Sequence, residues 1–297
     1  MISGILLLDK PQGLSSNAAL QRARRLLGAD KAGHVGSLDP LATGMLPICL
    51  GEATKVAGEI LSGRKRYRFT VALGARTSTG DAEGEVVETA PVPSLDRATV
   101  EQVLSRFLGE QSQVPPMYSA IKRGGQPLYK LARAGVEVER AARQIRIDEL
   151  RLLDLRPAEL ELEALCSKGT YVRTLAEDIA RALGTCGHVK QLRRLYVEPF
   201  DGEPMETLES IEAAVQAGGK PRLLEPDRGL THLDPVWLGA PAARRVAHGQ
   251  AVTVPEVRQP GRVRLYDAAG RFMGIGEADA YSIVRHRRLM TTAGMGL

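Results

Sequence analysis

Cysteine is scarce in this 297-residue chain, which contains only Cys49, Cys166 and Cys186. An odd number of cysteines without a Cys-x-x-Cys spacing indicates neither a disulfide framework nor a zinc site. The sequence also lacks the glycine-rich motifs that bind nucleotide phosphates and any close cluster of histidine and cysteine. We therefore expect no metal and no cofactor, and a reducing cytoplasm as the compartment.

Long hydrophobic runs are absent as well, and no apolar stretch approaches the length of a membrane span. The stretch from Met1 to Leu8 is too short for a secretory signal, and Asp9 interrupts it. The sequence therefore predicts a cytoplasmic protein without a membrane anchor. A chain of this length has room for one large domain and a small one.

Lysine is absent from Leu233 to Leu297, although this segment contains nine arginines and five acidic residues, a net charge of +4. The formal net charge of the whole chain is +5, so most of the excess lies in this segment. The planar guanidinium group matches phosphate oxygens, which favours contact with RNA. A solvated surface would explain the same composition, and both interpretations stay open.

The most informative stretch runs from Gly33 to Lys55, GHVGSLDPLATGMLPICLGEATK. Its first half contains three glycines and a proline, which is typical of a sharply shaped loop. Asp39 lies in this loop, five residues after His34. The second half is apolar and then resembles the start of a helix. Taken alone, the Asp-Pro pair indicates an ordinary turn.

This stretch resembles the signature of the bacterial TruB-type tRNA pseudouridine-55 synthases, with SLDPLATG at its centre. Segments similar to that family occur in the same order around it: DKPQGLSS, KRYRF, CSKGTYVRTL and HVKQLRRL. Together they cover most of the first 200 residues or so. The resemblance implies a monomeric enzyme that isomerises uridine to pseudouridine at position 55, in the T-arm stem-loop of tRNA, without a cofactor.

The resemblance also implies the catalytic group. Asp39 would act as the nucleophile or base, and Arg173 would pair with it and keep it ionised by lowering its pKa. Asp81, in the turn-rich segment TSTGDAEG, is a weaker candidate for the site. Lys10 precedes the first predicted helix and is predicted to face phosphate.

The base pocket is implied in the same way. Tyr67 would stack on the target base, and Tyr171, Leu192 and His34 would shape the pocket around it. Without the resemblance, Tyr67 and Leu192 would be interpreted as ordinary core residues, because Tyr67 lies on the apolar face of an alternating segment. The target uridine is paired inside folded tRNA, so it must be flipped out to react.

The hydrophobic periodicity predicts an α+β protein. The predicted strands are Gly4 to Leu8, Arg64 to Leu73, Gln144 to Leu155 and Glu159 to Cys166. The predicted helices run from Ser15 or Ser16 to Leu27, Glu52 to Leu61, Leu95 to Leu108, Val172 to Leu183 and Thr207 to Ala217. The resemblance implies a mixed, largely antiparallel sheet for this part of the chain. It also implies a small C-terminal β-barrel of the RNA-binding PUA type, where Val263 to Gly276 predicts a hairpin.

The predicted catalytic domain spans residues 1–232, and the predicted PUA-like domain spans 233–297. A loop-rich insertion at about 113–143 mixes cations with aromatic rings, which suits contact with looped RNA. Its basic and aromatic residues are Lys122, Arg123, Lys130, Arg133, Tyr118 and Tyr129.

Two other functions stay open at this point. One is an acid–base hydrolase that uses Asp39 and Asp81 as a carboxylate pair. The other is a non-catalytic tRNA binder or folding chaperone, an activity that is also compatible with catalysis.

Overall fold

A computed structural model of the protein describes residues 2–119 and 121–291. The first strands are β1 (Gly4–Lys10), β2 (Ala32–His34), β3 (Thr43–Leu50), β4 (Lys65–Leu73), β5 (Ala75–Thr77), β6 (Val86–Thr89) and β7 (Gly109–Gln113). They are followed by β8 (Lys122–Arg123), β9 (Gln126–Pro127), β10 (Arg143–Arg156), β11 (Glu159–Cys166) and β12 (Gly187–Val197). The last strands are β13 (Asp234–Trp237), β14 (Val252–Thr253), β15 (Gly261–Tyr266), β16 (Phe272–Ala278) and β17 (Ile283–Leu289).

The α-helices cover the sheets and connect their strands. They are α1 (Ser16–Leu26), α2 (Ala57–Leu61), α3 (Arg97–Ser105), α4 (Leu128–Arg133), α5 (Val172–Ala182), α6 (Leu208–Gln216) and α7 (Ala240–Ala247). Two 3₁₀ helices span Gly51–Lys55 and Pro226–Leu230.

The central sheet has eight strands in the order β1-β3-β12-β4-β11-β10-β7, with β2 paired to β3. Its neighbours are antiparallel except for a short parallel contact between β12 and β3. The predicted α+β class with a largely antiparallel sheet is therefore confirmed. Strand β12 lies between β3 and β4, so it brings the segment after α5 against the loop that carries Asp39.

Two predicted helices begin where a side chain can cap them. Ser15 accepts a hydrogen bond from the Ala18 amide at 3.1 Å at the start of α1. Thr207 and Ser210 exchange side-chain and backbone hydrogen bonds at the start of α6. Such caps satisfy amide groups that the helix itself leaves without a partner.

Two helix predictions are partly wrong. The apolar run before Gly51 is the buried strand β3, and the predicted helix that follows is divided into the 3₁₀ helix Gly51–Lys55 and the short helix α2. Gly51 has a φ of +54°, and an added Cβ there would lie 2.4 Å from the Ile2 carbonyl oxygen. This close approach ends the strand in a tight turn. Helix α3 ends at Ser105, which leaves Leu108 exposed rather than on the buried stripe.

Strand β4 has the alternation that its sequence predicts. Phe69 and Val71 are buried, whereas Arg66 and Arg68 form ion pairs with glutamates of β10 and β11 on the opposite face. Tyr67 shares the face of Phe69 and packs, half-buried, against the main core. The ion-paired face is consequently solvated, and the apolar face turns toward the helices.

The C-terminal sheet has the order β13-β15-β16-β17-β14 and its own hydrophobic core. Ile275 of β16 belongs instead to a second cluster, which contains Val56, Ile60 and Phe200. Lys55 donates a hydrogen bond to the Leu289 carbonyl oxygen at 2.8 Å. The C-terminal sheet therefore rests on the segment that directly follows β3.

Gly44→Ala is expected to destabilise the protein by about 3 kcal/mol or more, through a left-handed backbone and overpacking. Gly44 has a φ of +98°, and an added Cβ would lie 2.1 Å from the Arg194 carbonyl oxygen. Gly33→Ala is the matched control, since an added Cβ there meets no atom within 4 Å. Urea unfolding should show a large loss of stability for Gly44→Ala alone; equal midpoints would contradict the prediction.

Candidate active site

The loop between β2 and β3 carries Asp39 and is held by the start of α1. The Ser16 hydroxyl group accepts a hydrogen bond from the Leu38 amide at 2.7 Å and donates one to the Leu38 carbonyl at 2.9 Å. The Gly13 amide donates to the Pro40 carbonyl at 2.8 Å. The residues on both sides of Asp39 are therefore fixed by segments outside the loop.

Lys10 also holds the loop that carries Asp39. It is fully buried, and its Nζ donates to the carbonyls of Pro11, Leu14 and Pro40 at 2.8, 2.6 and 3.4 Å. Burial lowers the pKa of Lys10 to about 8, although the negative charge of Asp39 opposes this shift. The buried ammonium group bonds to the backbone, which does not favour the predicted contact of Lys10 with phosphate.

Arg173, on the first turn of α5, joins three loops. Its Nε lies 2.9 Å from Oδ2 of Asp39, and the side chain is only about 5 % exposed. The other two nitrogens donate to the Thr79 carbonyl at 2.8 Å and the Tyr118 carbonyl at 2.6 Å. The Nε–H group makes no hydrogen bond with Asp39, so this contact is an ion pair without an aligned donor. The sequence-based pairing of Arg173 with Asp39 is thus present in the structure.

The pKa of Asp39 is raised, contrary to the expectation from the ion pair alone. Burial is the main cause, the charge of Asp81 adds to it, and Arg173 and Lys10 oppose it. The Asp39 side chain keeps 39 % of its surface exposed toward solvent, while protein atoms crowd the remainder. Arg173 therefore limits the increase in the pKa but does not reverse it, and the carboxylate is a stronger base than a free aspartate.

Asp81 is anchored within its own loop. It is 3 % exposed, and its Oδ1 accepts hydrogen bonds from the Thr79 hydroxyl at 2.6 Å and the Glu83 amide at 3.1 Å. Its Oδ2 lies 3.8 Å from Nη1 of Arg173. A hydrolase would need two carboxylates that reach the substrate. The burial of Asp81 does not favour that alternative.

Tyr67 and Leu192 lie on neighbouring strands. Leu192 on β12 is opposite Phe69 in the register with β4, and both belong to the main core that Tyr67 contacts. Burial raises the pKa of Tyr67, so its hydroxyl group stays protonated at neutral pH. The two side chains form an apolar surface on the sheet.

Tyr171 precedes α5, and Gln113 fixes its backbone. The Tyr171 amide donates to Oε1 of Gln113 at 2.8 Å, and Nε2 of Gln113 donates to the Tyr171 carbonyl at 3.1 Å. Burial raises the pKa of Tyr171. The charge of Arg173 lowers this pKa and the charge of Asp39 raises it. Tyr171 is thus close to the ion pair of Arg173 and Asp39. Gln113, the first residue of the insertion, connects the insertion to Tyr171.

His34 ends β2, just before the loop with Asp39. Burial and the positive charge of Arg194 lower the pKa of His34, so its ring is neutral at pH 7. Its Nδ1 is buried and has no hydrogen-bond partner in the described ranges 2–119 and 121–291. A neutral imidazole ring whose Nδ1 has no protein partner is suited to form a hydrogen bond with a polar ligand.

Family models match three consecutive segments of this chain. "TruB family pseudouridylate synthase (N terminal domain)" matches residues 24–172, and "tRNA pseudouridylate synthase B C-terminal domain" matches residues 173–226. "Pseudouridine synthase II TruB, C-terminal" matches residues 235–290. The chain belongs to the TruB family. The resemblance of the Asp39 loop is therefore confirmed.

Relatives in the TruB family are similar over nearly their whole length. tRNA pseudouridine synthase B of Chromohalobacter salexigens is 49% identical over 297 residues, which is 99% of this chain and 96% of that protein. The protein of the same name from Pseudomonas putida strain F1 is 52% identical over 293 residues, with 97% and 96% covered.

Solved structures share the fold at much lower identity. A chain of an H/ACA RNP bound to a substrate RNA containing 2′-deoxyuridine has a TM-score of 0.76 at 22% identity, with 97% of this chain and 85% of that chain covered. A chain of a Cbf5–Nop10–Gar1 complex has a TM-score of 0.72 at 24% identity, with 94% and 79% covered. They show that this TruB family chain has a pseudouridine-synthase fold.

Sequence reasoning missed two residues that support this candidate site, Gln113 and Arg194. Arg194 lies two positions after Leu192, so it shares the inward face of β12, but the segment was not predicted as a strand. Recognising the strand would have placed an arginine on a buried face. Gln113 has no comparable signal, because its role depends on a contact with Tyr171, 58 residues away.

Neither a metal cluster nor a membrane-spanning helix occurs in the described part of the chain. Within residues 2–119 and 121–291, no group of three or more histidine, cysteine, aspartate and glutamate side chains could hold a metal ion. Across the same residues, none of the helices has the length and apolar character needed to cross a membrane.

Proposed function

We propose that this chain isomerises uridine to pseudouridine at position 55 in the T-arm of tRNA. The observation that carries the proposal is the similarity to proteins named tRNA pseudouridine synthase B, which are about half identical over nearly the full chain. The substrate is RNA, and the chain acts as an isomerase. We further propose that it works as a monomer in the cytoplasm.

We propose a separate role in the reaction for each of the site residues. The reaction breaks the C1′–N1 bond of uridine, turns the base and rejoins it through C5. Asp39 acts as the nucleophile or base, and Arg173 beside it offsets part of the cost of a buried negative charge. Tyr67 stacks on the flipped base, and Leu192 contributes an apolar wall that retains the freed uracil. His34 and Tyr171 complete the pocket.

The domain division is also a proposal. Residues 1–232 form the catalytic domain, residues 113–143 its RNA-contacting insertion, and residues 233–297 a PUA-like RNA-binding domain. Support comes from the separate apolar core of the C-terminal sheet. The insertion connects to the site because Arg173 binds the Tyr118 carbonyl.

The function is tested with two tRNA transcripts that differ only at position 55. The transcript with uridine at this position should acquire one pseudouridine, and the transcript with cytidine should acquire none. Released uracil and an abasic site would indicate the hydrolase instead. Tight binding of both transcripts without either product would indicate a non-catalytic binder.

The basic C-terminal segment separates into paired and unpaired arginines. Four of its nine arginines form ion pairs with carboxylates: Arg262, Arg271, Arg285 and Arg287. Arg245 and Arg264 form hydrogen bonds to backbone carbonyls, whereas the side chains of Arg244, Arg258 and Arg288 are exposed and form neither an ion pair nor a hydrogen bond with any residue that the structure describes. A cation without a protein partner can bind a phosphate group of RNA. We therefore assign the RNA contact that the composition predicts to these three arginines.

Replacing Arg244, Arg258 and Arg288 together with glutamine is expected to weaken tRNA binding and flatten its salt dependence. For each phosphate group that the variant no longer neutralises, the slope of log K against log salt should fall by about 0.7 to 0.9. Filter binding across a salt series measures this slope.

The control replaces Arg271, Arg285 and Arg287 with glutamine, which changes the net charge equally. These side chains already contact Asp267, Asp279 and Glu277. The control slope should change less than that of the first variant. Equal slopes in both variants would show that only net charge matters and would reject the assignment.

A further inference from the structure

Arg194 is the largest fully buried side chain of the described residues, with 1 % of its surface exposed. It forms no ion pair with any carboxylate in residues 2–119 and 121–291. A buried charge without a counter-charge is costly unless hydrogen bonds satisfy it. Its position in the centre of the sheet therefore requires a reason beyond packing.

The guanidinium group of Arg194 binds both ends of the loop that carries Asp39. Its Nε donates to the Met45 carbonyl at 2.7 Å, and its Nη2 donates to the Gly36 carbonyl at 3.0 Å. Gly36 has a φ of +72°, and an added Cβ would lie 3.2 Å from Nη1. The loop backbone is thus hydrogen-bonded to the guanidinium group at both ends, and at Gly36 it lies so close to that group that a side chain would crowd it.

The same residue also joins the loop to Tyr67. Arg194 is opposite Tyr67 in the register of β12 with β4, and opposite Gly44 in the register with β3. Arg194 also opposes the increase in the pKa of Tyr67, which places its guanidinium group near the Tyr67 hydroxyl. One side chain therefore bonds to the two loop ends and lies beside the residue proposed to stack on the target base.

The charge of Arg194 acts on His34 and Tyr67, whereas the main charges that act on Asp39 come from other residues. It lowers the pKa of His34 and opposes the increase in the pKa of Tyr67, whereas the charged groups that shift the pKa of Asp39 are Arg173, Asp81 and Lys10. We therefore expect Arg194 to affect Asp39 through the position of the loop, to which it is hydrogen-bonded at both ends. Arg173 and Arg194 are thus separable by the pH dependence of the reaction.

We propose that Arg194 is a positioning residue that fixes the Asp39 loop relative to Tyr67, so that the carboxylate meets the base stacked on that ring. The proposal rests on the proposed pseudouridine synthase function. Arginine is needed because a planar fork can hold separate carbonyls in fixed directions, which an ammonium group cannot do.

The test compares Arg194→Lys and Arg194→Met with wild type in single-turnover conversion of uridine 55. Both variants should convert saturating tRNA about 10²-fold more slowly, the cost of a displacement near 1 Å, with unchanged tRNA affinity. The pH at which the rate reaches half its maximum should stay where it is in wild type. Arg193→Met is the matched control, because Arg193 is the half-buried neighbour that binds Asp9 on the other face.

A double-mutant cycle with Tyr67→Phe tests the geometry itself. If Arg194 holds the Tyr67 hydroxyl, the two substitutions should be strongly non-additive in rate. Urea unfolding of each variant separates a defect in positioning from a defect in folding. Should Arg194→Met fail to fold, Gly36→Ala provides the second variant, since it displaces the guanidinium group without removing it.

Additive losses of rate, a wild-type rate in Arg194→Lys, or equal losses of rate and tRNA affinity would each overturn the proposal. A shift of the pH profile in Arg194→Met would overturn it as well, since the effect would then be electrostatic. An inactive wild type would instead contradict the proposed function. The two failures are therefore distinguishable.

Discussion

Asp39→Asn is expected to abolish pseudouridine formation, with a fall in the single-turnover rate of about 10⁴-fold or more. Asparagine has the size of aspartate, but it is neither a base nor a nucleophile. It also cannot pair with the Arg173 guanidinium group 2.9 Å away. Binding of tRNA should be retained, because most of the surface that meets a folded tRNA lies outside one side chain.

Asp30→Asn is the matched control for this substitution. Asp30 is exposed and lies shortly before β2, outside the loop that carries Asp39. Its conversion rate should equal that of wild type. Substantial turnover by a pure Asp39→Asn preparation would remove Asp39 from the catalytic role. If the inactive variant still promotes tRNA folding, binding and chaperone activity are independent of the chemistry.

Arg173→Met is expected to lower turnover at neutral pH by about 10²-fold, since the carboxylate loses its partner and its position. Arg173 opposes the increase in the pKa of Asp39, so its removal raises this pKa further. The pH–rate profile should then move toward alkaline pH, and activity should partly recover there. Single-turnover rates over a pH series measure the shift.

The stability of Arg173→Met should depend on pH in a defined direction. Since the folded pKa of Asp39 is raised, its contribution to stability is present below the unfolded pKa and is lost as pH rises through the folded pKa. The variant extends this loss to higher pH. Breaking a buried pair costs about 3 to 5 kcal/mol, and we expect the lower end because solvent screens the 39 % exposed Asp39.

Two controls accompany Arg173→Met. Arg181→Met changes an exposed arginine of the same helix, which pairs with Asp178, and should leave the pH profile unchanged. Arg173→Lys keeps the charge but cannot reproduce the hydrogen bonds to the Thr79 and Tyr118 carbonyls. It should keep the profile nearer to wild type while lowering the rate. A uniform decrease in rate at every pH in Arg173→Met would mean that Arg173 does not tune Asp39.

The sequence predicted the secondary structure correctly where interactions between residues close in the chain determine it. The cap at Ser15, the capped helix after Thr207 and the alternation around Tyr67 all depend on neighbours within a few residues, and the structure contains each of them. The shaped loop around Asp39 was visible from its glycines and proline. Strand β12 was missed, because its role as a link between β3 and β4 is a long-range pairing.

The sequence by itself determined the family, the shaped loop that carries Asp39 and the pairing of Asp39 with Arg173. Only the tertiary structure decided the direction in which the pKa of Asp39 is shifted. Burial and the charge of Asp81 raise it by more than the attraction of Arg173 lowers it. The tertiary structure also decided that Lys10 bonds to the backbone and that Arg194 spans both ends of the loop. Desolvation and convergent contacts arise from segments distant in the chain, so no local pattern encodes them.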